Sequence, residues 1–248
     1  MKNILITGAS SGLGAALARA YAAQGTQLIL WGRNEQRLND TATQCRTLGA
    51  MVETDSFDLT DIGNMISRIQ RLDERTPIDL VIFNAGIGGS IPESDLAEAP
   101  KRSHAMAMVN FASPVIGSTV LAEAMAQRRH GHIVLVGSVA EIFPLPMAPS
   151  YAGAKAGLAM FAEALRLRMS KHGVAVTLVS PGFIDTPMSR DLTTPKPFMM
   201  SADSAAVRIA KKIVRRPARI VIPWPFAIVC AVARIVPRSI VATVLRRV

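Results

Sequence analysis

Cysteine, aromatic side chains and, late in the chain, negative charge are scarce in this sequence, and each scarcity removes a class of protein. Its only cysteines are Cys45 and Cys230. They lie far apart, with no second Cys or His at metal-ligand spacing. A disulfide scaffold and a Cys/His metal site are both excluded, and the two read as ordinary thiols. His104, His130, His132 and His172 form no zinc-like pattern either, so no metal is expected. Aromatics make up only 5% of the 248 residues and no nucleic-acid motif is present, which excludes a nucleic-acid partner despite a net charge of +10. The uncharged run Ile220–Ala233, about fourteen residues, is short of the roughly 20 that a spanning helix needs. No internal repeat, low-complexity tract or Gly/Ser linker divides the chain. Met1 leads straight into "KNILITGAS", a strand and a turn that leave no room for a signal peptide, so a cytoplasmic location is expected.

Half of the residues are hydrophobic, and a chain of this length buries a sizeable core as one large domain. Short apolar, β-branched runs recur along it: "NILIT", "QLILWG", "MVETDSFD", "DLVIFNAG", "GHIVLVGS", "VAVTLVSPG" and "ARIVIP". Runs this apolar suit strands covered on both faces, and the helix-length segments between them suit crossovers in a parallel sheet. The expected fold is α/β: a Rossmann-like doubly wound sheet of about seven strands, residues 1–223. Residues 224–248 follow as a basic, hydrophobic extension that is not an independent domain. "PLPMAPS" and "TTPKPFMM" interrupt the pattern and read as loops.

Directly after the first apolar run comes "TGASSGLG", with Gly8, Gly12 and Gly14, and then a helical run ending at Gly25. Glycines let a backbone turn tightly and approach a pyrophosphate, while the helix N-terminus behind them offers unpaired N–H groups. Strand, glycine turn and helix in that order are what dinucleotide binding needs. A carboxylate near the end of the second strand would bind the ribose hydroxyls of NAD. "LWGRN" has Arg33 there instead, and a guanidinium suits a 2′-phosphate. NADP(H) is therefore expected over NAD(H), helped by Arg33 with Ser10 or Ser11; the competing reading makes Arg33 a solvated loop charge.

"YAGAK" sets Tyr151 and Lys155 four residues apart in an Ala/Gly-rich segment, on one helical face. A nearby cation favours the phenolate, so this spacing builds a phenolic acid/base. Reduction of a carbonyl by hydride needs an acid at the oxygen and a hydroxyl donor beside it. Tyr151 and Ser138, which follows a strand, suit those tasks.

Taken together, "TGASSGLG", Asp58–Leu59, "NAG" at Asn84, Ala85 and Gly86, Asn110, Ser138, "YAGAK" and "SPGFIDT" at Ser180–Thr186 resemble the short-chain dehydrogenase/reductase family. The resemblance spans roughly Lys2 to Pro223. It implies an oxidoreductase in which Tyr151 is the general acid/base, and Lys155 lowers its pKa and bonds the nicotinamide ribose; the alternative is a non-catalytic NADP(H)-binding scaffold or sensor, which has no need of a tuned phenol. Ser138 would orient the substrate oxygen, and Asn110 would hold a water connecting Lys155 to solvent. The glycine loop with Leu13 would hold the cofactor and Asp58 would meet its adenine. Pro181, Gly182, Ile184 and Thr186 would position the nicotinamide. Members of the family usually self-associate, so a homo-oligomer is implied.

Met188, Phe198, Met199 and Met200 make the segment after "SPGFIDT" apolar, where the family closes over its substrate. A hydrophobic ketone, aldehyde or alcohol is expected, unless these residues only pack the lid onto the domain. "EIFPLP" is the candidate opposite wall. No acidic residue follows Asp203, whereas Arg208, Lys211, Lys212, Arg215, Arg216, Arg219, Arg234, Arg238, Arg246 and Arg247 are basic. The apolar, arginine-studded extension suits the interface of an anionic bilayer. An oligomer contact and an arm over the substrate pocket are the alternatives.

Overall fold

A computed structural model describes residues 2–92, 94–190, 192 and 195–237. The basic tail from Arg238, and Thr193 and Thr194 of the substrate segment, lie outside the described residues. Seven strands form one sheet: β1 (Lys2–Thr7), β2 (Thr26–Gly32), β3 (Met51–Ser56), β4 (Leu80–Phe83), β5 (Gly131–Val136), β6 (Val174–Pro181) and, last in the chain, β9 (Arg219–Ile222). Their order is β3-β2-β1-β4-β5-β6-β9, and every pairing is parallel. These are the seven apolar runs of the sequence. The order reverses between β1 and β4, and a sheet wound both ways from such a point opens a crevice beyond the carboxyl ends of its strands.

Alternation along each strand supplies two cores. Ile4 and Ile6 of β1, with Leu28 and Leu30 of β2, face the helices α1 (Gly12–Tyr21), α2 (Glu35–Thr47) and α8 (Ala202–Ile213). Leu5, Ile29 and Trp31 face the opposite layer of α3 (Ile62–Arg75), α5 (Ser113–Gln127) and α6 (Pro149–Met169). Each fully buried Leu or Ile in these layers contributes about 1.5–3 kcal/mol of transfer free energy. Only β3 departs from the apolar pattern, because it is an edge strand whose residues stay partly exposed.

Three features were not legible in the chain. A short helix α4 (Pro100–Ala107) runs into a π-turn at Met108–Ala112, which carries Asn110 into α5. The stretch read as loop around "TTPKPFMM" contains a two-strand parallel pair, β7 (Ile184–Asp185) with β8 (Met200–Ser201), flanking the short helix α7 (Pro187–Arg190). The extension begins as helix α9 (Trp224–Ile235), whose Phe226 and Cys230 are buried against the body.

Candidate active site

The glycine turn is built by close approach. Gly8 (φ +69°) and Gly12 (φ +53°) adopt left-handed backbone, and a Cβ on Gly8 would sit 2.8 Å from the Cα of Ala85. A Cβ on Gly14 would come within 2.5 Å of Asn84 Nδ2. Thr7 completes the joint: its hydroxyl accepts from the backbone N–H groups of Asn84 and Ala85, each at 3.1 Å, and its carbonyl accepts from Asn84 Nδ2 at 3.1 Å. The "NAG" segment is thereby fastened to the turn. Ser11, the N-cap of α1, makes no side-chain capping bond, so the first-turn amides face the crevice without it.

A cavity of about 1050 Å³ runs over this crevice. Gly8, Ser10, Ser11, Gly12 and Leu13 line one end, Arg33, Asp58 and Leu59 the pocket beside it, and Asn84, Ala85 and Gly86 its floor. Ser138, Tyr151, Lys155, Asn110, Pro181, Gly182, Ile184 and Thr186 line the other end. Gly14 alone of the residues predicted for the cofactor and the chemistry is absent from the wall; its missing side chain lets α1 approach the Gly8 carbonyl and the Asn84 amide. Across the cavity a Cβ on Gly12 would lie 3.0 Å from Thr186 Cγ2, so the glycine turn and the loop after β6 touch. Bare backbone amides at a helix start, flanked by arginine and closed by residues too tight for a side chain, fit the pyrophosphate and sugars of a dinucleotide.

Asp58 is held below the usual carboxylate range, first by the backbone N–H of Thr60 and also by the Thr60 hydroxyl and Arg33. Its Oδ1 accepts from those two Thr60 groups at 2.9 and 2.8 Å. Arg37, which the sequence reading missed, lines the same pocket one helical turn beyond Arg33. Its signal was available: Asn34 caps α2 by accepting from the backbone N–H of Arg37, which fixes the first turn of that helix at the pocket rim.

At the other end, Ser138 caps a short 3-10 turn, Val139–Glu141, by accepting from the N–H of Ala140 at 3.1 Å. Burial lifts the Tyr151 phenol above its ordinary 10.0, and the neighbouring Ser138 hydroxyl pulls it back only in part. Lys155 is 4% exposed. It donates to the carbonyl of Val136 at 2.9 Å, with Nζ 5.8 Å from the centre of the Tyr151 ring. Burial lowers its pKa from 10.5 to about 8. The i, i+4 spacing does bring the pair together, yet in the protein alone Lys155 is not what sets the phenol: desolvation acts on both groups and drives both toward neutrality.

Asn110 is buried in the π-turn, and Ile87 occupies its amide at both ends: Oδ1 accepts from the N–H of Ile87 at 3.0 Å, and Nδ2 donates to its carbonyl at 2.8 Å. Nδ2 also approaches Met106 Sδ at 3.3 Å. These bonds hold the segment after "NAG", and a Cβ on Gly86 would lie 2.9 Å from Asn110 Oδ1 and 3.8 Å from Lys155 Nζ. The π-turn thus delivers an amide that braces the cavity floor beside Lys155.

The wall beyond Tyr151 is apolar: Phe143, Leu145, Pro146, Met147, Phe183 and Met188 line it, joined by Leu192, Phe226 and Val229. Of the four apolar lid residues picked from sequence only Met188 reaches the cavity; Phe198 and Met199 are exposed, and Met200 enters β8 and packs on the core. Phe143, Leu145 and Pro146 of the "EIFPLP" segment do supply the opposite wall, whereas Glu141, Ile142 and Pro144 do not line it. Phe226 and Val229 bring α9 over the pocket, one of the roles the sequence left open for the extension. The Phe226 ring stacks edge-on to Phe183 at 6.2 Å and to Phe198 at 5.9 Å.

A dinucleotide crevice continuous with an apolar pocket, meeting at a Ser, a Tyr and a buried Lys, defines a class of oxidoreductase. A family model described as short chain dehydrogenase matches residues 2–197, and the chain belongs to that family, whose members act on CH–OH or C=O groups with a nicotinamide cofactor. The chain is 33% identical over 247 residues to an uncharacterized oxidoreductase of Myxococcus xanthus, covering 99% of this chain and 97% of that one. Among solved structures it resembles a short-chain dehydrogenase from Sphingobium yanoikuyae in complex with NADPH, with TM-score 0.82, 27% identity and coverage of 90% and 88%. It also resembles the bulky-bulky ketone specific alcohol dehydrogenase from Comamonas testosteroni, with TM-score 0.79, 27% identity and coverage of 90% and 86%.

Proposed function

We propose that the protein is an NADP(H)-dependent reductase of hydrophobic ketones or aldehydes, or the reverse alcohol dehydrogenase. The observation that carries this is the junction: the neighbouring Ser138 and Tyr151 hydroxyls and the buried Lys155 ammonium lie where an apolar pocket meets a dinucleotide crevice. Ser138 and Tyr151 hold the carbonyl oxygen by their hydroxyls. A nicotinamide held beside Pro181, Gly182 and Thr186 would supply the hydride for the carbonyl carbon. Tyr151 gives its proton to the oxygen as negative charge grows there, and the raised phenol pKa keeps that proton in place until then. The Lys155 cation stabilises the phenolate that remains, in a setting where little water competes.

Arg33 and Arg37 beside the adenosine end, with no carboxylate at the end of β2, support NADP(H) over NAD(H). The apolar wall, and the ketone named for the Comamonas relative, support a bulky hydrophobic substrate. The test is NADPH consumption across a panel of bulky ketones and aldehydes, beside Tyr151→Phe. Turnover that vanishes with the phenol oxygen supports the mechanism; equal turnover in the variant refutes it.

Two partner assignments accompany this reading. An exposed apolar stripe on α6, with Met160 at 69% and Leu167 at 61% exposure, suits self-association into a homo-oligomer, which light scattering behind a sizing column decides. Trp224, Ile228, Val232 and Ile235 project from α9, and with no acidic residue after Asp203 we assign that face to an anionic bilayer on the cytoplasmic side. Sedimentation with phosphatidylglycerol vesicles that survives Trp224→Ser/Ile228→Ser unchanged overturns the assignment.

A further inference from the structure

Behind the pocket wall lies a buried carboxylate that the proposed mechanism does not use. Glu141 ends the 3-10 turn that Ser138 begins, and its side chain is 2% exposed. It is ion-paired with Arg219 of β9. It also accepts from the Ser180 hydroxyl, at 3.1 Å on Oε1 and 3.3 Å on Oε2. Burying a carboxylate is costly unless it is paired and hydrogen-bonded, and here both conditions are met by residues from two different strands.

The partners are placed where they constrain the active site. Ser180 immediately precedes Pro181 and Gly182, which line the cavity at the nicotinamide end. Arg219 pairs in register with Leu178, and Gly182 N–H donates to the carbonyl of Ile222 at 2.7 Å, so β9 and the end of β6 move as one. On the other side, Glu141 N–H donates to the Ser138 carbonyl at 3.1 Å, and Gly137 N–H to the Val179 carbonyl at 2.7 Å. A Cβ at residue 137 would lie 2.9 Å from Glu141 Oε2, so the carboxylate fills the space that Gly137 leaves beneath the Ser138 turn. The backbone between Ser138 and Glu141 is one turn long. Whatever fixes Glu141 fixes the direction of the Ser138 hydroxyl.

We propose that Glu141 is a positioning residue, clamping the Ser138 turn to the loop after β6 so that the hydroxyl and the nicotinamide-facing backbone keep a fixed separation. The inference rests on the reading above for the role of Ser138. It also names why an acidic residue sits in an otherwise apolar wall segment: the charge holds the wall from behind.

The decisive experiment is a double-mutant cycle on ketone reduction, with thermal stability and NADPH affinity measured on the same proteins. Glu141→Ala should lower kcat by about 10- to 100-fold, as expected of a small misplacement of a reacting group. NADPH affinity should change by less than about 3-fold, since the pyrophosphate end is untouched. In a Ser138→Ala background the same change should cost less than about 2-fold, because its effect passes through the missing hydroxyl. Glu141→Gln/Arg219→Gln, which keeps an acceptor for Ser180 and leaves no unpaired charge, guards against misfolding and should restore most of kcat. Full, additive loss in the Ser138→Ala background, or lost stability with kcat unchanged at a temperature where the fold persists, overturns the clamp. Amide hydrogen exchange separates this from the reaction itself: Glu141→Ala should speed exchange at 137–141 and at 180–186 together. If wild type reduces no ketone, the functional reading fails while the exchange result still decides the clamp. Faster exchange in only one segment, or in neither, overturns it.

Discussion

Lys155 is a charge kept in the core, and its cost can be measured. The ammonium is buried with one described hydrogen-bond acceptor, the Val136 carbonyl at 2.9 Å. Its pKa falls from 10.5 to about 8, so the folded cofactor-free protein holds that proton less tightly than the unfolded chain does. A difference of this size corresponds to about 3 kcal/mol at neutral pH, charged against folding. The unfolded chain binds more protons between the two values, so the penalty is complete below about 8 and is relieved as pH rises from there toward 10.5. Lys155→Met keeps the unbranched stem, one atom shorter, and removes the charge. It leaves the Val136 carbonyl without its donor, which offsets about 1 kcal/mol. The variant should therefore be inactive yet more stable than wild type by about 2 kcal/mol near pH 7, raising Tm by about 4–8 °C for a chain of this size. By about pH 9.5 that advantage should have shrunk nearly to zero. Thermal unfolding followed by circular dichroism, without cofactor at both pH values, decides it. A variant less stable than wild type at neutral pH, or an advantage that does not change with pH, would refute the desolvation argument.

Four further outcomes follow from other parts of the molecule. Arg33→Ala/Arg37→Ala should weaken NADPH by at least about 10-fold while leaving NADH within about 3-fold, measured by quenching or calorimetry, because a charge-assisted bond to a 2′-phosphate is worth roughly 1.5–3 kcal/mol. Gly8→Ala should abolish cofactor binding, read by the loss of NADPH-induced thermal stabilisation, since its Cβ would sit 2.8 Å from Ala85 Cα. His132 donates from Nε2 to Thr177, whose own hydroxyl proton goes to the Pro217 carbonyl; burial first, then Arg216 and Lys2, lower its pKa from 6.5 to about 4. Stability from this site is complete above 6.5 and drains as pH falls toward 4, so wild type should lose about 2 kcal/mol more than His132→Gln between pH 7.5 and 5 in urea unfolding. Phe226→Ala should raise KM for bulky ketones more than it lowers kcat, because the ring packs on Phe183 and Phe198 at the pocket wall rather than at the reacting atoms; an unchanged KM would remove α9 from the substrate site.

The sheet was legible because each strand is an apolar run covered on both faces, and strands such as "NILIT" and "GHIVLV" carry that signature without tertiary help. The glycine turn and the Tyr–Lys pair were legible because close approach and a shared helical face leave spacing rules in the chain. What the pair's spacing did not carry was its environment: burial, a property of everything around the site, raises the Tyr151 phenol and outweighs the one hydroxyl that lowers it. The lid was misjudged residue by residue for a similar reason. Apolar composition marked the segment, but the β7–β8 pairing turns Met200 inward and leaves Phe198 and Met199 at the surface. Asn110 needed a π-turn, whose extra residue no periodicity announces. The burial of Glu141 left no mark in the sequence because its partners, Ser180 and Arg219, lie 39 residues or more away along the chain.

The match to the family model ends at residue 197, before α8, β9 and α9. Phe226 and Val229, which wall the pocket, therefore lie after the segment that the family model matches, while the glycine turn lies wholly inside it. On the proposed function, one part of the substrate wall and the dinucleotide turn are in this way carried by separate stretches of the chain. A chimera that exchanges residues after Ile222 with those of a relative should import that relative's substrate preference and keep this protein's choice of dinucleotide, which makes the C-terminal stretch the natural place for the enzyme to diverge.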